Sequence, residues 1–282
     1  MRHPFTPILA ASVFLFAISS NGVRADELAE KGRAIFNRSQ HAVVTVSIVL
    51  KITASSGGQS GTPQESKQEA TGTVIDPSGL TVLALSACDP ADMYQRMDAR
   101  YKIETEVSDL KIMLADGTEL PAEIVLRDKD LDLAFIRPKT KPASPMDAVD
   151  LTKSAPALVL DEVVALNRLN SAASRAFSAS VERISAVVQK PRTFYIPDST
   201  MSATTMGSPA FLMNGNVLGI FVMRAVSSSG GRANLTAIIL PAADVLKGAK
   251  QAPEAKGDAE KKDEPKDAAK DSKETKDAVE KK

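Results

Sequence analysis

The chain has 282 residues, and its 35 lysine and arginine residues balance 35 aspartate and glutamate residues, so the formal net charge at pH 7 is zero. A balanced charge provides no basic surface for nucleic acid or for an anionic membrane, and we therefore expect neither as a partner. Cys88 is the only cysteine, which excludes an intrachain disulfide. Nothing basic adjoins Cys88, so we expect a small core residue rather than a reactive thiol.

Residues 1–25 carry the features of a secretory signal peptide. Arg2 precedes an apolar run over residues 8–18, and Val23-Arg24-Ala25 provides the small residues of a cleavage site. The apolar run is too short to cross a bilayer of ~30 Å as a helix. We expect the mature protein to begin near Asp26, to be periplasmic or secreted, and to have no transmembrane segment after cleavage. An uncleaved anchor is the alternative.

The other end of the chain, residues 250–282, has the composition of a disordered tail. Val279 is its only large apolar side chain, and its acidic and basic residues are interspersed. Such a segment cannot bury enough apolar surface to offset the entropy lost on ordering. We expect a solvated tether there rather than an arm that binds polyanions.

Between these ends, a short helix and then strands are predicted. Residues 26–40 are predicted to form an N-terminal helix, because apolar residues recur at roughly helical spacing and acidic residues precede basic ones. Residues 41–52 are rich in valine and isoleucine and are predicted to be the first strand. Residues 54–67 are mainly polar with glycine and proline, and are predicted to form an exposed loop.

Further strand-like runs follow at short intervals, at residues 110–114, 119–126, 157–169, 175–188, 193–196 and 234–240. A closing helix is predicted at residues 242–246. Frequent turn signals and little helical periodicity favour an all-β barrel or sandwich. Residues 138–156 contain four prolines and few large apolar residues. We interpret residues 141–156 as a linker between two halves.

The stretch from Thr204 to Val222 organises the second half. Two apolar runs flank Asn214-Gly215, and an Asn-Gly pair in such a position is the strongest short-range signal for a β-hairpin. A corner of small residues, Gly207-Ser208-Pro209, precedes the hairpin.

This corner and hairpin resemble the nucleophile loop of trypsin-like serine proteases, in particular the HtrA (Deg) type, where Gly-Asn-Ser-Gly-Gly-Pro precedes a strand, an Asn-Gly turn and a strand. Two further landmarks of that family occur upstream in the same order. Residues 72–88 resemble its strand, Asp-x-x-Gly turn and second strand ending in Thr-Asn-x-His. Residues 127–136 are similar to its segment around Asp-Leu-Ala-Val. The resemblance runs from about Val43 to Leu246.

The resemblance implies an all-β fold of two six-stranded antiparallel barrels, the chymotrypsin-type fold, with short terminal helices. It implies that residues 41–140 form the first barrel. Residues 157–249 would then form the second barrel and the closing helix.

At the positions that match the catalytic triad of that family, two of the three residues differ. Ser86 stands in the histidine position, Met206 in the position of the nucleophilic serine and Asp132 in the position of the aspartate. Triad catalysis needs an imidazole of near-neutral pKa to take the proton of a hydroxyl nucleophile. The histidines of the chain are His3 and His41, both far in sequence from residue 86.

The oxyanion loop differs as well. Thr204 stands where the family has a glycine whose backbone aims an amide at the oxyanion, and a β-branched residue resists such backbone angles. The signal peptide and the resemblance together predict an exported protein without protease activity, which acts in binding, scaffolding or regulation on an unknown protein or peptide partner. We expect Asp132 to be held by backbone hydrogen bonds or to bond Ser86 across the former site. Residues 89–103 could cover or refill the histidine position.

The alternative is a serine endopeptidase with a rearranged active site, in which Ser208 is the nucleophile and a lysine or another base lies within reach. A purely structural envelope protein is a third alternative. The sequence has no histidine and cysteine cluster for zinc, no calcium-binding acidic loop and no phosphate-binding glycine motif. We therefore expect no cofactor and no metal.

Overall fold

The computed structural model describes residues 21–56, 59–91, 93–94, 102–198, 205–227 and 233–254. Most of the predicted signal peptide lies outside these residues, and so do Thr204 and most of the predicted tail. The expectations for the parts of those segments outside the described residues stay predictions. A disordered tail that starts at residue 250 is wrong for its first residues, because Ala252 packs against the apolar core and the Pro253 carbonyl accepts a 2.9 Å hydrogen bond from Arg137 Nε.

Helix α1, Asn21–Ser39, opens the described part of the chain. It begins five residues before Asp26, inside the segment that we predict to be removed on export. No structural observation tests that cleavage. At its other end, Arg38 Nη2 donates a 3.0 Å hydrogen bond to the carbonyl oxygen of Gly215, which lies in the predicted hairpin turn.

The first half forms an antiparallel barrel. Its strands are β1 Val43–Ser56, β2 Gln59–Ser60, β3 Gln64–Val74, β4 Thr81–Ala84, β5 Lys102–Met113, β6 Glu119–Asp128 and β7 Leu133–Pro138. Six of them pair in the order β1-β3-β4-β7-β6-β5, and the pairing of β5 with β1 closes the barrel. Strand β2 pairs only with β1, and a short helix α2, Leu85–Cys88, follows β4 directly.

Side-chain alternation along β1 explains how the first barrel is filled. Every second residue from Val44 to Leu50 is buried in the interior with Leu83, Ile112 and Ile136. Because side chains of a strand alternate between its two faces, this spacing directs one face of β1 to the core. Cys88 is buried in the same cluster, as expected of a small core residue.

The second half forms another antiparallel barrel. Its strands are β8 Glu162–Arg168, β9 Phe177–Val188, β10 Phe194–Pro197, β11 Pro209–Leu212, β12 Val217–Ser227 and β13 Ala233–Pro241. They close in the order β10-β13-β12-β11-β8-β9, and helix α3, Ala242–Ala249, follows β13. The hairpin predicted around Asn214-Gly215 is the β11–β12 pair, in which Phe211 pairs with Val217. The predicted fold of two six-stranded antiparallel barrels is therefore confirmed.

The two barrels share an apolar core, and β8 shows how. Val163 and Ala165 pack inside the second barrel, whereas Val164 and Leu166 pack with Phe135 between the barrels. A strand that is buried on both faces reads as a continuous apolar run rather than as an alternating one. The four consecutive apolar residues of β8 fit this pattern.

Residues 141–156 form no helix or named strand, but they are not a solvated spacer. The amide of Val149 donates a 2.9 Å hydrogen bond to the carbonyl of Val74 in the first barrel. The amide of Val217 in the second barrel donates a 2.8 Å bond to the carbonyl of Lys153. The connecting segment is therefore fixed to both barrels.

The prediction of an exposed loop over residues 54–67 is wrong for much of that segment. Strand β1 continues to Ser56, and β3 begins at Gln64, where it pairs with Ile52. Residues 54–67 are mainly polar because this end of the β1–β3 hairpin carries mostly exposed side chains. Its backbone amides and carbonyls are hydrogen-bonded to the partner strand all the same.

Within the part of the chain that the structure describes, no helix combines the length and the hydropathy that crossing a bilayer requires.

Candidate functional site

A tight turn before β7 positions Asp132. The carboxylate of Asp128 accepts hydrogen bonds of 3.0 Å from the backbone amides of residues 130 and 131, which fixes the turn. Asp132 follows with φ of 57°, in the left-handed region that aspartate tolerates better than most residues. Because Leu133 pairs with Ala84, Asp132 lies beside the end of β4.

Ser86 and Asp132 are directly hydrogen-bonded. The Ser86 amide donates to Asp132 Oδ1 at 2.7 Å, and the Ser86 hydroxyl donates to Oδ2 at 3.0 Å. The amide of Met223 in the second barrel donates to the same Oδ2 at 2.8 Å, and the Leu85 amide donates to the Asp132 carbonyl at 2.9 Å. The two arrangements expected for Asp132, backbone bonds and a bond to Ser86, therefore occur together.

This pair lies in a pocket between the barrels with a volume of ≈ 170 Å³. Its lining comes from both halves of the chain: Leu85, Ser86, Asp89, Met93, Lys129, Asp130 and Asp132 from the first, and Met223, Arg224 and Leu235 from the second. Pockets for whole small molecules usually hold ~300 Å³ or more. A volume of this size suits a single side chain of a protein or peptide.

The lining combines an apolar wall with charged groups of both signs. The Asp89 carboxylate lies 3.7 Å from Nε of Arg127, and the Arg224 guanidinium lies 4.8 Å from the ring centre of Phe194. Met93 belongs to the segment expected to refill the histidine position, and its side chain lines the pocket. Residues 92 and 95–101 of that segment lie outside the described residues, so their part of the expectation stays a prediction.

Met206, at the nucleophile position, is buried in a core rather than presented to the pocket. Its side chain is 3 % exposed and belongs to the apolar cluster that includes Ala84, Tyr195 and Phe221. It is not among the residues that line the pocket of Ser86 and Asp132. A thioether in this place is an apolar filler, which is the usual role of methionine in a core.

Gly207 forms the corner after Met206 and could not be another residue without strain. Its φ is +92°, and a Cβ atom there would collide with the carbonyl oxygen of Thr71. The close approach of the corner to β3 therefore explains the glycine that the sequence resemblance rests on.

Ser208 is fully buried, with an exposed fraction of 0 %. Its hydroxyl donates a 3.3 Å hydrogen bond to Oδ1 of Asn167 in β8. The same oxygen accepts from the hydroxyl of Thr71 at 2.7 Å and from the amide of Arg168 at 2.8 Å. Asn167 thus joins β3, β8 and the corner before β11, and Ser208 takes part in this network instead of lining the pocket.

The remaining chemistry-bearing residues lie elsewhere. The ring of His41 meets Phe177 edge-on at 5.2 Å between centroids, and His41 is not part of the pocket lining. Burial raises the pKa of the Cys88 thiol to about 12. Among the described residues, no three histidine, cysteine, aspartate or glutamate side chains are grouped closely enough to hold a metal ion.

Sequence reasoning missed Asn167, Met223 and Arg224. Asn167 contacts Thr71, which is 96 residues away in sequence, and Ser208, which is 41 residues away. No local periodicity encodes contacts of such separation. Met223 contributes through its backbone amide, so the identity of its side chain carries no signal. For Asn167, the one available sign is a polar side chain that directly follows the apolar run of β8.

A sequence profile for the trypsin-like peptidase domain matches residues 70–220, which is more than half of the chain. The chain belongs to this family. The matched segment of the trypsin-like domain contains Ser86, Asp132, Met206 and Ser208, so the four positions considered above all lie inside it.

Two solved structures are similar to this chain at low sequence identity. The serine endoprotease from Yersinia pestis is similar with a TM-score of 0.54 and 14 % identity, over 78 % of this chain and 66 % of that protein. The MamO protease domain from Magnetospirillum magneticum, in its apo form, has a TM-score of 0.48 and 15 % identity, over 75 % of this chain and 97 % of that one. At 14 % identity the likeness to the Yersinia pestis protein shows the fold alone. No curated protein sequence matches the trypsin-like chain significantly.

Proposed function

We propose that this trypsin-like protein is a catalytically inactive member of the HtrA type that acts by binding a protein or peptide, as a scaffold or regulator. One observation carries the proposal. At the position where the family has its histidine, the Ser86 hydroxyl is hydrogen-bonded to Asp132.

The chemistry of acyl transfer explains why the hydrogen bond between Ser86 and Asp132 supports an inactive site. A triad needs an imidazole that takes the proton of the nucleophile while a carboxylate orients that imidazole. A serine hydroxyl has no comparable basicity near neutral pH, and the Asp132 carboxylate already accepts three hydrogen bonds. The thioether of Met206 carries no proton to remove, and its burial keeps it away from a substrate carbonyl.

The displaced-nucleophile alternative requires Ser208 to reach both a base and a substrate. The Ser208 hydroxyl is buried and donates to an amide oxygen, which is no general base. This environment favours a packing role for Ser208, and we retain the endopeptidase only as an outcome of the test below.

The pocket between the barrels is the proposed contact site for the partner. It is open to one side chain, and its lining comes from both barrels. A peptide residue with an apolar stem and a polar tip would match an apolar wall beside Ser86, Asp130 and Arg224. Export through residues 1–25 and a tether over residues 255–282 complete the proposal, and both rest on composition.

The activity test uses the mature protein from Asp26, treated with a fluorophosphonate probe and with casein. We expect no covalent labelling and no cleavage above the level of a heat-unfolded sample. If the protein is labelled or cleaves casein, and Ser208→Ala abolishes that activity, the proposal is wrong and the protein is the endopeptidase with a rearranged site.

The binding test compares two charge reversals in affinity capture from an envelope extract. Asp130→Lys alters an exposed residue of the pocket, whereas Asp147→Lys alters an exposed aspartate outside it. We expect the wild type and Asp147→Lys to recover the same specific partner and Asp130→Lys to lose it. Recovery of no specific partner by any of the three would favour the purely structural protein.

A further inference from the structure

Arg168 ends β8 where the two barrels meet, and its guanidinium is buried with no anionic partner among the described residues. The side chain is 6 % exposed, and Nε and Nη1 have no hydrogen-bond acceptor among the described residues. The ring of Phe177 lies 4.2 Å from Cζ, which covers one face of the guanidinium but leaves these N–H groups unsatisfied. Arginine stays charged in proteins, and a buried charge without acceptors is strongly unfavourable.

Thr45, on β1 of the first barrel, is a second unsatisfied group at the same place. Its Oγ1 is buried and has no hydrogen-bond partner among the described residues. Thr45 and Arg168 line one cavity of ≈ 10 Å³, together with Glu69, Ala70, Thr71, Leu169 and Asn170. A volume near ~10–15 Å³ accommodates one guest of the size of a water molecule.

The charges around the cavity favour an anion over a water molecule. Glu69 is the one carboxylate among the described lining residues, and it is already engaged. Its Oε1 accepts from Arg175 Nε at 3.0 Å, and its Oε2 accepts from the amide of Ser171 at 3.1 Å. The carboxylate of Glu69 is therefore paired with Arg175, and Arg168 has no ion-pair partner among the described residues. Burial, and after it the charge of Arg175, lowers the pKa of Arg168, as expected for a cation that lacks a counter-ion.

We propose that this cavity binds a single chloride ion, held by the guanidinium of Arg168 and the hydroxyl of Thr45. A halide only accepts hydrogen bonds, so it matches unsatisfied donors, and a monatomic ion suits a cavity of ≈ 10 Å³. Asn170 is exposed at the edge and gives the ion a route to solvent. Because Thr45 belongs to the first barrel and Arg168 to the second, the ion joins the barrels and stabilises the folded chain.

Thermal unfolding tests this site at constant ionic strength, with sodium chloride replacing sodium gluconate. A ligand that binds only the folded state raises the melting temperature, and we expect a saturable rise of ~2–4 °C between 1 and 100 mM chloride. Arg168→Met and Thr45→Val should abolish the rise, while Arg192→Met, at an exposed arginine, should keep it. No rise in the wild type, or an equal rise in all variants, overturns the proposal.

A crystallographic test needs no variant and so does not depend on how well Arg168→Met folds. Crystals of the wild type, grown without chloride, are soaked in sodium bromide, and anomalous differences are measured at the bromine edge. We expect a peak within hydrogen-bonding distance of the Arg168 guanidinium and of Thr45 Oγ1. Density of a water molecule there, with no anomalous signal, contradicts an anion site.

Discussion

The hydroxyl of Thr73 donates a buried 2.7 Å hydrogen bond to the carbonyl oxygen of Gly207. A strand of the first barrel thereby holds the corner that leads into β11 of the second. On the other side of the corner, the Gly207 amide donates to the carbonyl of Phe221 at 2.7 Å. The corner that resembles the nucleophile loop of trypsin-like enzymes is therefore fixed from both barrels.

This clamp predicts that Gly207→Ala is severely destabilising. Gly207 and Gly117 both have left-handed backbone angles, with φ of +92° and +87°, but only at Gly207 does a Cβ meet backbone atoms. We expect Gly117→Ala to lower the free energy of unfolding by ~1–2 kcal/mol from the backbone angle alone. We expect Gly207→Ala to lower it by more than ~4 kcal/mol or to prevent folding. Urea unfolding of both variants measures this difference, and similar losses would contradict the clamp.

The shared acceptor Asn167 predicts a second stability effect. In Asn167→Ala, two buried hydroxyls and one amide lose the oxygen to which they donate. We expect a loss of ~2–3 kcal/mol in the free energy of unfolding, because unsatisfied buried donors cost about 1–3 kcal/mol each and the neighbours relax in part. The matched control is Asn170→Ala, at an exposed asparagine in the same region, which should stay within ~0.5 kcal/mol of wild type. Equal effects would show that Asn167 does not organise the junction.

Restoring protease chemistry is predicted to need several substitutions. Met206→Ser supplies a hydroxyl but no base, and Ser86→His supplies a base that Asp132 could orient but no nucleophile. We expect no cleavage of casein by the native chain or by either single variant, and at most weak cleavage by the double variant.

Thr204→Gly should be needed as well, because losing one oxyanion donor typically costs ~10²-fold to 10³-fold in rate. The double and triple variants are compared by the rate of casein hydrolysis. Cleavage by the native chain, or by Met206→Ser alone, would show that another base serves the site.

The buried thiol of Cys88 predicts a pH dependence of stability at alkaline pH. Burial raises its pKa from 9.0 to about 12, so above pH 9 the unfolded chain loses a proton that the folded chain keeps. The stability contribution is complete below pH 9 and declines as pH rises toward 12, by about 1.4 kcal/mol between pH 8 and pH 10. Urea unfolding at these two pH values should show a smaller decline in Cys88→Ala. Equal declines in the two proteins would mean that the thiol ionises as readily in the folded chain as in the unfolded chain.

Local patterns made the barrels predictable. The strands β1 and β8, the Asn214-Gly215 turn and the closing helix each have a signal within about ten residues, and all were found in their expected places. The exposed hairpin end at residues 54–67 was missed, because polar composition indicates exposure and says nothing about backbone pairing. The start of α1 at Asn21 is not predictable from its periodicity, because residues 21–25 also carry the small residues of a signal-peptide cleavage site.

The site was predictable only in part, and the reason is sequence separation. The resemblance placed Ser86 opposite Asp132, and the structure brings these two together. It could not place Asn167, whose partners lie on distant strands, or the unsatisfied donors of Arg168 and Thr45. The hydrogen-bond partners of Asn167, and the lack of acceptors among the described residues at Arg168 and Thr45, are set only when the two barrels pack against each other.

The bond from Arg38 to Gly215 has a consequence for the order of assembly. It spans 177 residues, so the N-terminal helix cannot dock in its final place until synthesis has passed Gly215, after the first four strands of the second barrel. The first barrel is complete by Pro138 and can close much earlier, since its strand pairs are contained within that segment. Contacts of such long separation form late and slow a folding reaction. Helix α1 leaves the ribosome before either barrel and is nevertheless expected to be among the last elements to reach its native position.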